Sequence, residues 1–268
     1  MLQYLLEQLP YYLLAAVRCF ALLMTMPLVS TKAVPRVAKI ALAGFMAFLV
    51  LPQLNFSQYS PYILASGDFS LQFVLLLIGE ALIGAILGFF VSIIFAAFST
   101  AGQFFAFQIG FAASEVYDSL SQVENPLMGQ FLNLSAMGIF LQTKWIQRIF
   151  FEGLFSSFSA LNAFSIVNAN ETLAVFMLSS LTRLFFSAFV IALPIMGTLF
   201  LINMTMGILA KAAPQMNLMA EGFPLMLLVA FTILVVIMPI LCNFFVNEFS
   251  RCFYLLQDLF IKISGGGL

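Results

Sequence analysis

The sequence predicts an all-α protein of the integral membrane type, built from helical hairpins. Of its 268 residues, 63% are hydrophobic and only 8% are charged, whereas a soluble domain carries about 25% charged residues. The mean hydropathy of the chain is +1.10. Its apolar runs approach or exceed the length of about 20 residues that an α-helix needs to cross a bilayer. These few polar side chains cannot form the polar surface of a soluble protein. The apolar residues must therefore face lipid or other apolar proteins.

The apolar runs differ in length. The run at 37–54 is short for a crossing, and the run at 127–160 is interrupted by Lys144 and Arg148, which a lipid-facing helix would exclude. Prolines lie inside or at the edges of the runs, where each removes a backbone donor, so we expect kinked or broken helices. The runs are 11–30, 37–54, 71–101, 127–160, 172–209 and 218–247, and the prolines are Pro27, Pro52, Pro194, Pro224 and Pro239.

The composition of the chain argues against several classes of function. The chain has no histidine and a net charge of −1, so it lacks the usual general base and any broad basic face for nucleic acid. Because no catalytic signature or phosphate-binding glycine loop occurs, we predict no enzyme activity, no metal and no cofactor. The cysteines lack C-x-x-C spacing and are predicted to be buried free thiols. They are Cys19, Cys242 and Cys252.

The turn at 30–39 concentrates the basic residues Lys32, Arg36 and Lys39. Because basic residues are enriched in the cytoplasmic loops of membrane proteins, this turn is predicted to face the cytoplasm. The next connection, at 55–70, has no Lys or Arg and is predicted to lie on the other side. Alternation would then place 102–126 inside, yet that stretch has acidic residues and no basic ones. The charge rule therefore leaves the later topology open.

Three ionisable residues, Arg18, Glu80 and Arg183, lie within the apolar runs. Ionisable groups at bilayer depth normally face a bundle interior or a watery cavity. We interpret them as charges that pair with each other or with a partner subunit. The alternative is a proton or ion relay, in which Glu80 would have to act without histidine. Gly84 and Gly88 lie on one helix face, so we predict that another helix packs closely there.

The stretch "AGQFFAFQIGFAASEVYDSLSQVENPLMGQ" at 101–130 fits neither a lipid-facing helix nor a solvated loop. It is too polar for the first and too aromatic for the second, since phenylalanines are interleaved with glutamine and glycine. Two interpretations stay open on these residues alone. The phenylalanines pack in the core of a hairpin corner, or, on flexible backbone, they block a passage and can be displaced.

The stretch "GILAKAAPQMNLMAEGFPLM" at 207–226 separates two long apolar runs with polar residues and prolines. Pro214 and Pro224 are expected to stop the flanking helices. Gln215 and Asn217 offer hydrogen bonds to freed backbone groups or to a neighbouring subunit. The stretch is therefore predicted to be a polar hairpin turn.

Four stretches of the chain together match one known family. "APQMN" at 213–217 followed by "EGFPLM" at 221–226 is similar to a C-terminal signature, and "RCFALLMTMPLVSTKAVPRVAKIALAGFMAFLVLP" at 18–52 is similar to an N-terminal one. "GEALIGAILGFF" at 79–90 and "AGQFFAFQIGFA" at 101–112 also fit. The combination, which extends along most of the chain, resembles the FliR family of flagellar type III export-gate subunits. The "GFP" element fits flagellar members better than the related virulence-secretion subunits.

The resemblance implies a non-enzymatic subunit of a protein export gate in the bacterial inner membrane, within the flagellar basal body. Such subunits join several FliP-type and FliQ-type subunits in a helical assembly of hairpins, with one FliR-type subunit expected per complex. FlhB-type and FlhA-type components are the further implied partners, and unfolded flagellar proteins are the implied cargo. Subunits that do not individually span lipid need not obey the charge rule, which accounts for its partial fit here.

The resemblance also implies roles for the two polar stretches. The family segment that matches 104–126 forms a plug within the pore, which favours the second interpretation of that segment. The stretch around 213–226 becomes a hairpin turn near the cytoplasmic entrance, in contact with other subunits. The implied plug residues are Phe104, Phe105, Phe107, Gln108, Gly110, Phe111, Tyr117 and Asp118. The implied entrance residues are Pro214, Gln215, Met216, Asn217, Gly222, Phe223 and Pro224.

On this interpretation the chain is a single export-gate domain, 1–268, with four parts. They are N-terminal hairpins at 1–101, the plug at 102–126, kinked C-terminal hairpins at 127–247, and an amphipathic C-terminal helix and tail at 248–268. One alternative is an export-gate subunit of a virulence-type III secretion system. The alternative from another class is a polytopic secondary transporter, which should show interrupted helices in two related halves.

Overall fold

A computed structural model describes residues 2–31, 33–54, 57–63, 70–110, 127–213 and 218–264, and these residues are mainly helical, without a strand. The predicted all-α fold class is confirmed. In chain order the helices are α1 (Leu2–Thr25), α2 (Pro27–Ser30), α3 (Arg36–Val50), α4 (Leu71–Ile109), α5 (Leu127–Gln142), α6 (Trp145–Arg148), α7 (Phe155–Ala160), α8 (Ala163–Asn168), α9 (Asn170–Ala212) and α10 (Leu218–Ile263). Short 3₁₀ segments lie at Leu51–Gln53 and Ser57–Tyr62.

Within the described ranges, four helices are long and apolar enough to cross a membrane: α1, α4, α9 and α10. The last three have 39, 43 and 46 residues. At a rise of 1.5 Å per residue they measure about 58, 64 and 69 Å. Each is therefore about twice as long as the hydrocarbon core of a bilayer, which is about 30 Å thick.

Two of the apolar runs do not form helices of membrane length. The run at 37–54 contains α3, which has only 15 residues and is followed by the 3₁₀ turn Leu51–Gln53. The run at 127–160 is divided, because Lys144, two residues after the end of α5, takes a left-handed conformation with φ of 59°. The chain then continues through α6, a π-helical segment at Ile149–Leu154, and α7. A left-handed residue turns the backbone off the helical path, so no single crossing forms there.

The two longest helices continue through their prolines. Pro194 lies inside α9, and Pro224 and Pro239 lie inside α10. The prediction that Pro224 stops a helix is wrong, because α10 begins at Leu218, before the proline. A long apolar helix tolerates a missing backbone donor where neighbouring groups compensate.

Two of the boundaries drawn on the sequence fall inside helices. α4 runs from the predicted N-terminal part into the predicted plug without a break at residue 101, and α10 runs through residue 247. The predicted amphipathic C-terminal helix is thus the end of α10 and not a separate element.

The contacts divide the chain into two compact units, each assembled from separate stretches. The first unit comprises Met1–Ile93, Lys144–Ser180 and Arg251–Leu268, and the second comprises Ile94–Thr143 and Leu181–Ser250. α4, α9 and α10 each contribute one part to each unit.

In the first unit, α1 packs against α3 and α4. Leu14, Cys19 and Leu22 on α1 are fully buried, and the Tyr12 hydroxyl donates to the Gly44 carbonyl of α3 at 3.1 Å. Lys39, part of the predicted basic turn, is buried and donates from Nζ to the carbonyls at the end of α2. The lysine therefore fastens the turn between α2 and α3 instead of extending into solvent.

The core of the second unit is aromatic. The ring of Phe95 on α4 lies 5.2 Å from that of Phe140 on α5 and 5.7 Å from that of Phe245 on α10, measured between centroids. Phe140 and Phe249 are 4.8 Å apart, and Phe98 and Phe245 are 4.9 Å apart. These edge-to-face and tilted contacts hold α4, α5 and α10 together.

Candidate functional site

The last two turns of α4 carry the first residues of the predicted plug. Phe105 is buried, with 1% of its surface exposed, whereas Phe107 is 65% exposed. The ring of Phe104 lies edge to face with that of Phe189 on α9, at 5.5 Å. Gln108 is half-buried. Within this short stretch, therefore, two phenylalanines pack in the second unit and one projects from it.

Gly110 ends α4 and brings two predicted sites together. Its φ is +96°, and its N–H donates to the carbonyls of Ala106 and Phe107, both at 3.2 Å. A left-handed glycine directly after the last helical residue is a common C-terminal cap, because a side chain is disfavoured there. The ring of Phe223 on α10 is 3.8 Å from the point where a Cβ on Gly110 would lie. The start of the predicted plug thus lies beside the predicted entrance residue Phe223.

The remaining members of the two predicted sites divide as follows. Outside the described residues lie Phe111, Tyr117, Asp118, Pro214, Gln215, Met216 and Asn217. Gly222 is buried, and a Cβ added to it would be 3.2 Å from Met206 Cε on α9. Pro224 is exposed within α10.

A buried ionic network lies in the first unit. Arg18 on α1 and Glu80 on α4 are 1% and 0% exposed, and Arg18 Nε donates to Glu80 Oε2 at 2.5 Å. Arg18 also donates to Ser157 Oγ at 3.2 Å and to the Leu161 carbonyl at 2.9 Å. Its guanidinium carbon lies 4.1 Å from the centroid of the Phe158 ring. All three guanidinium nitrogens therefore have an acceptor.

Tyr59 completes this network. Its hydroxyl donates to Glu80 Oε1 at 2.6 Å and accepts the N–H of Ala163 at 2.7 Å. Burial, and after it the negative charge of Glu80, raise the pKa of the Tyr59 phenol, so the hydroxyl stays protonated and donating at neutral pH. Because Tyr59 belongs to the 3₁₀ segment Ser57–Tyr62, it fastens that connection to α4 and to the start of α8.

The third predicted charge, Arg183 on α9, pairs in the second unit. Its Nε lies 3.2 Å from Glu248 Oε2 on α10, and its Nη2 donates to Oε1 at 3.4 Å. Ser187 Oγ also donates to Glu248, at 3.3 Å. The Arg183 and Glu248 side chains are 24% and 16% exposed, so this pair is less enclosed than that of Arg18.

Gly84 and Gly88 lie where α4 passes α1. A Cβ on Gly84 would clash with the Arg18 carbonyl, and one on Gly88 would clash with Thr25 Oγ1 and lie 2.7 Å from the Leu22 carbonyl. The two backbones approach too closely for any side chain at these positions. The Ser92 hydroxyl joins the same helices further along by donating to the Thr25 carbonyl at 2.6 Å.

Sequence reasoning missed three side chains that the structure places in these networks: Tyr59, Ser157 and Glu248. A carboxylate in an apolar helix was a usable signal for Glu248, whereas the two hydroxyls had none. In the described part of the chain no three His, Cys, Asp or Glu side chains are grouped where they could hold a metal ion. The cysteines are thiols and not disulfides; Cys19 and Cys252 are buried as predicted, whereas Cys242 is only half-buried. What these residues offer is packing, ion pairing and hydrogen bonding.

Comparison with known proteins gives one consistent result. A family model described as bacterial export proteins, family 1, matches residues 9–252. The flagellar biosynthetic protein FliR of Bacillus subtilis (strain 168) is 29% identical over 257 residues, which cover 95% of this chain and 96% of that protein. FliR of Escherichia coli (strain K12) is 30% identical over 256 residues, or 94% and 93% of the two chains. FliR of Aquifex aeolicus (strain VF5) is 25% identical over 257 residues, or 93% of each chain.

These matches extend over the apolar helices, the buried charges and the end of α4 alike, so they concern the whole architecture and not one motif. The chain belongs to family 1 of the bacterial export proteins, the family of the flagellar biosynthetic proteins FliR.

Proposed function

We propose that the chain is a subunit of a flagellar type III export gate, in which it forms and plugs part of the channel for unfolded flagellar proteins. Membership of a bacterial export family and the names of the FliR relatives support this proposal. The partners on this proposal are FliP-type and FliQ-type subunits, with one copy of this chain per complex, and FlhB-type and FlhA-type components. The complex would lie at the flagellar basal body in the inner membrane.

The observation that carries the proposal is the length of the exposed apolar surface on α9. Within the second unit alone, large hydrophobic side chains on α9 are exposed from Leu181 to Leu209, about 42 Å of helix at 1.5 Å per residue. The hydrocarbon core of a bilayer measures about 30 Å. A straight helix would have to tilt by more than about 44° to bring this surface within it, beyond the range of 0–40° seen for membrane helices. Neighbouring protein subunits are the cover that such a surface requires.

α3 supports the same conclusion from the opposite direction. It has 15 residues, about 22 Å of helix, which is too short to cross a bilayer. Val37, Phe45 and Phe48 on it are nevertheless 77%, 60% and 66% exposed. Lipid around a crossing helix does not account for this face, whereas packing of a short hairpin against another apolar subunit does.

The plug is proposed to act sterically. Phe107 projects from the last turn of α4 directly before the cap at Gly110, where the chain leaves the helix towards the rest of 104–126. Apolar side chains in a constriction exclude ions by excluding water. Phe107 and the apolar residues after it would keep the closed channel tight, and engagement of the secretion machinery would move them aside.

Membrane leakage tests the plug. We expect a deletion within 106–117 to release potassium from cells that carry the chain with its FliP-type and FliQ-type partners. Phe107→Ala is expected to leak without loss of protein, because the side chain is exposed. Phe105→Ala is the matched control. Because Phe105 is buried, its loss is expected to lower the free energy of unfolding by about 3–5 kcal/mol, and so to lower the abundance of the protein. A deletion variant that is present at normal abundance and retains an unchanged membrane seal would refute the plug.

A further inference from the structure

Two glycines, Gly102 on α4 and Gly129 on α5, lie where these helices cross in the second unit. A Cβ added to Gly102 would lie 2.6 Å from the Cα and N of Gly129 and from the Met128 carbonyl oxygen. A Cβ added to Gly129 would lie 2.8 Å from the Ser99 carbonyl oxygen. These obstacles are backbone atoms, which cannot move aside by changing rotamer. Each glycine therefore permits the approach of the other helix.

Two contacts of the candidate site follow this crossing within about 12 Å along α4. Phe104, two positions after Gly102, makes the 5.5 Å ring contact with Phe189. Gly110, eight positions after it, lies against Phe223. The crossing thus immediately precedes the part of α4 that meets α9 and the start of α10.

The other side of the crossing is anchored. Phe95 and Phe98 on α4 are 2% and 3% exposed and pack against Phe140 and Phe245. Protein cores are close-packed and transmit displacements instead of absorbing them. A displacement forced at Gly102 or Gly129 is therefore not absorbed at Phe95 and Phe98 but passed to the last turns of α4, which carry the buried Phe105 as well as the exposed Phe107.

We propose that Gly102 and Gly129 are positioning residues for the proposed plug. Their crossing sets where the last two turns of α4, which carry Phe104 and Phe107, lie against α9 and α10. The inference rests on the proposed plug function and deepens it. An added methyl group separates the α4 and α5 backbones, shifts Phe104 away from Phe189, and opens a path for ions beside Phe107. The two glycines act as one unit, because either substitution widens the same crossing of α4 and α5.

Potassium retention by cells that carry the full chain with its FliP-type and FliQ-type partners tests this proposal. Gly102→Ala and Gly129→Ala are each expected to raise potassium loss about tenfold, equivalent to about 1.4 kcal/mol and within the usual effect of overpacking a close contact. The double variant is expected to leak about as much as either single variant, not the product of the two. Gly138→Ala is the matched control on α5, because no atom lies within 4 Å of the added Cβ.

Abundance and a second variant make the result decisive. A purely structural role predicts loss of protein without leakage, so glycine variants that are tight at wild-type abundance overturn the proposal. Phe104→Ala leaves the crossing intact but removes the contact with Phe189, and it is expected to leak. A tight Phe104→Ala complex at normal abundance overturns the proposal even if both glycine variants fail to accumulate.

The deletion within 106–117 separates this inference from the proposed plug. If the deletion leaks and the glycine variants do not, only this inference fails. If the deletion is also tight, the proposed plug fails as well.

Discussion

Arg18 and Glu80 occupy positions where a single unpaired charge would be very costly. Both are essentially inaccessible, and removing one partner of a buried ion pair typically costs about 3–5 kcal/mol because the other charge is left uncompensated. We propose that the pair fixes α1 against α4 and the 157–163 region. Tyr59 and Arg18 both donate to the carboxylate, which is an arrangement for holding Glu80 in place.

Glu80→Gln is accordingly expected to lower the melting temperature of the purified complex, by the equivalent of about 3–5 kcal/mol. Glu248→Gln is the matched control, with a smaller expected loss because its pair with Arg183 is partly exposed. Arg18→Met combined with Glu80→Leu should recover part of the stability, since both charges are removed while the Leu161 carbonyl loses its donor. A Glu80→Gln complex with unchanged melting but no coupling of export to the proton gradient would instead establish a relay.

Sequence reasoning anticipated that these charges pair, but it could not name the other groups that bind them. Ionisable residues are costly at bilayer depth and therefore rare in apolar runs, so Arg18, Glu80 and Arg183 could be identified from the sequence. Their partners depend on how the chain folds back: Glu248 lies 65 positions from Arg183, and Arg18 uses a backbone carbonyl that no sequence pattern marks. Phe105 and Phe107 were equally indistinguishable, because burial there depends on which face of α4 meets its neighbours.

At the scale of helices, the distance to the neighbouring backbone decides whether replacing a glycine with alanine raises or lowers stability. In an open helical position alanine is favoured over glycine by up to about 1 kcal/mol. At Gly88 the added Cβ would meet Thr25 and the Leu22 carbonyl of α1, and overpacking of this kind costs about 1–3 kcal/mol. The sign of the effect therefore depends on the crossing.

We expect Gly88→Ala to lower the melting temperature of the complex and Gly138→Ala in α5 to leave it unchanged or raise it. Gly138 is the appropriate control because nothing lies within 4 Å of its added Cβ and it is outside the α9 surface that other subunits are proposed to cover. Differential scanning fluorimetry of the two complexes compares them directly. Equal shifts of the same sign would contradict the close approach of α4 to α1.

The long helices were largely predictable, but their ends were not. Length and apolar composition identify α1, α4, α9 and α10, and the all-α class followed from them. The extension of α4 to Ile109 was missed because its last turns have the mixed polar and aromatic composition of a loop. Gly102 does not end that helix, since a helical glycine costs only about 1 kcal/mol and here it permits packing against Gly129. Pro224 was likewise expected to end a helix, but it lies inside α10.

At the scale of the whole molecule, the family was predictable from the combination of stretches at 18–52, 79–90, 101–112 and 213–226, and the match over residues 9–252 confirms it. The composition explains the exposed apolar surface of the chain. A chain with 63% hydrophobic residues keeps large apolar side chains exposed along α3, α9 and α10. On our account this surface is completed by other subunits, because its length along α9 exceeds what a bilayer covers.

The amount of folded chain recovered with and without partners tests that account most directly. The chain would be expressed alone and together with FliP-type and FliQ-type subunits, and each preparation would be separated by size and its subunits counted. We expect the chain alone to be degraded or to aggregate, and the co-expressed chain to elute in one complex with a single copy per assembly. A stable monomer that inserts alone in a lipid bilayer would contradict the account.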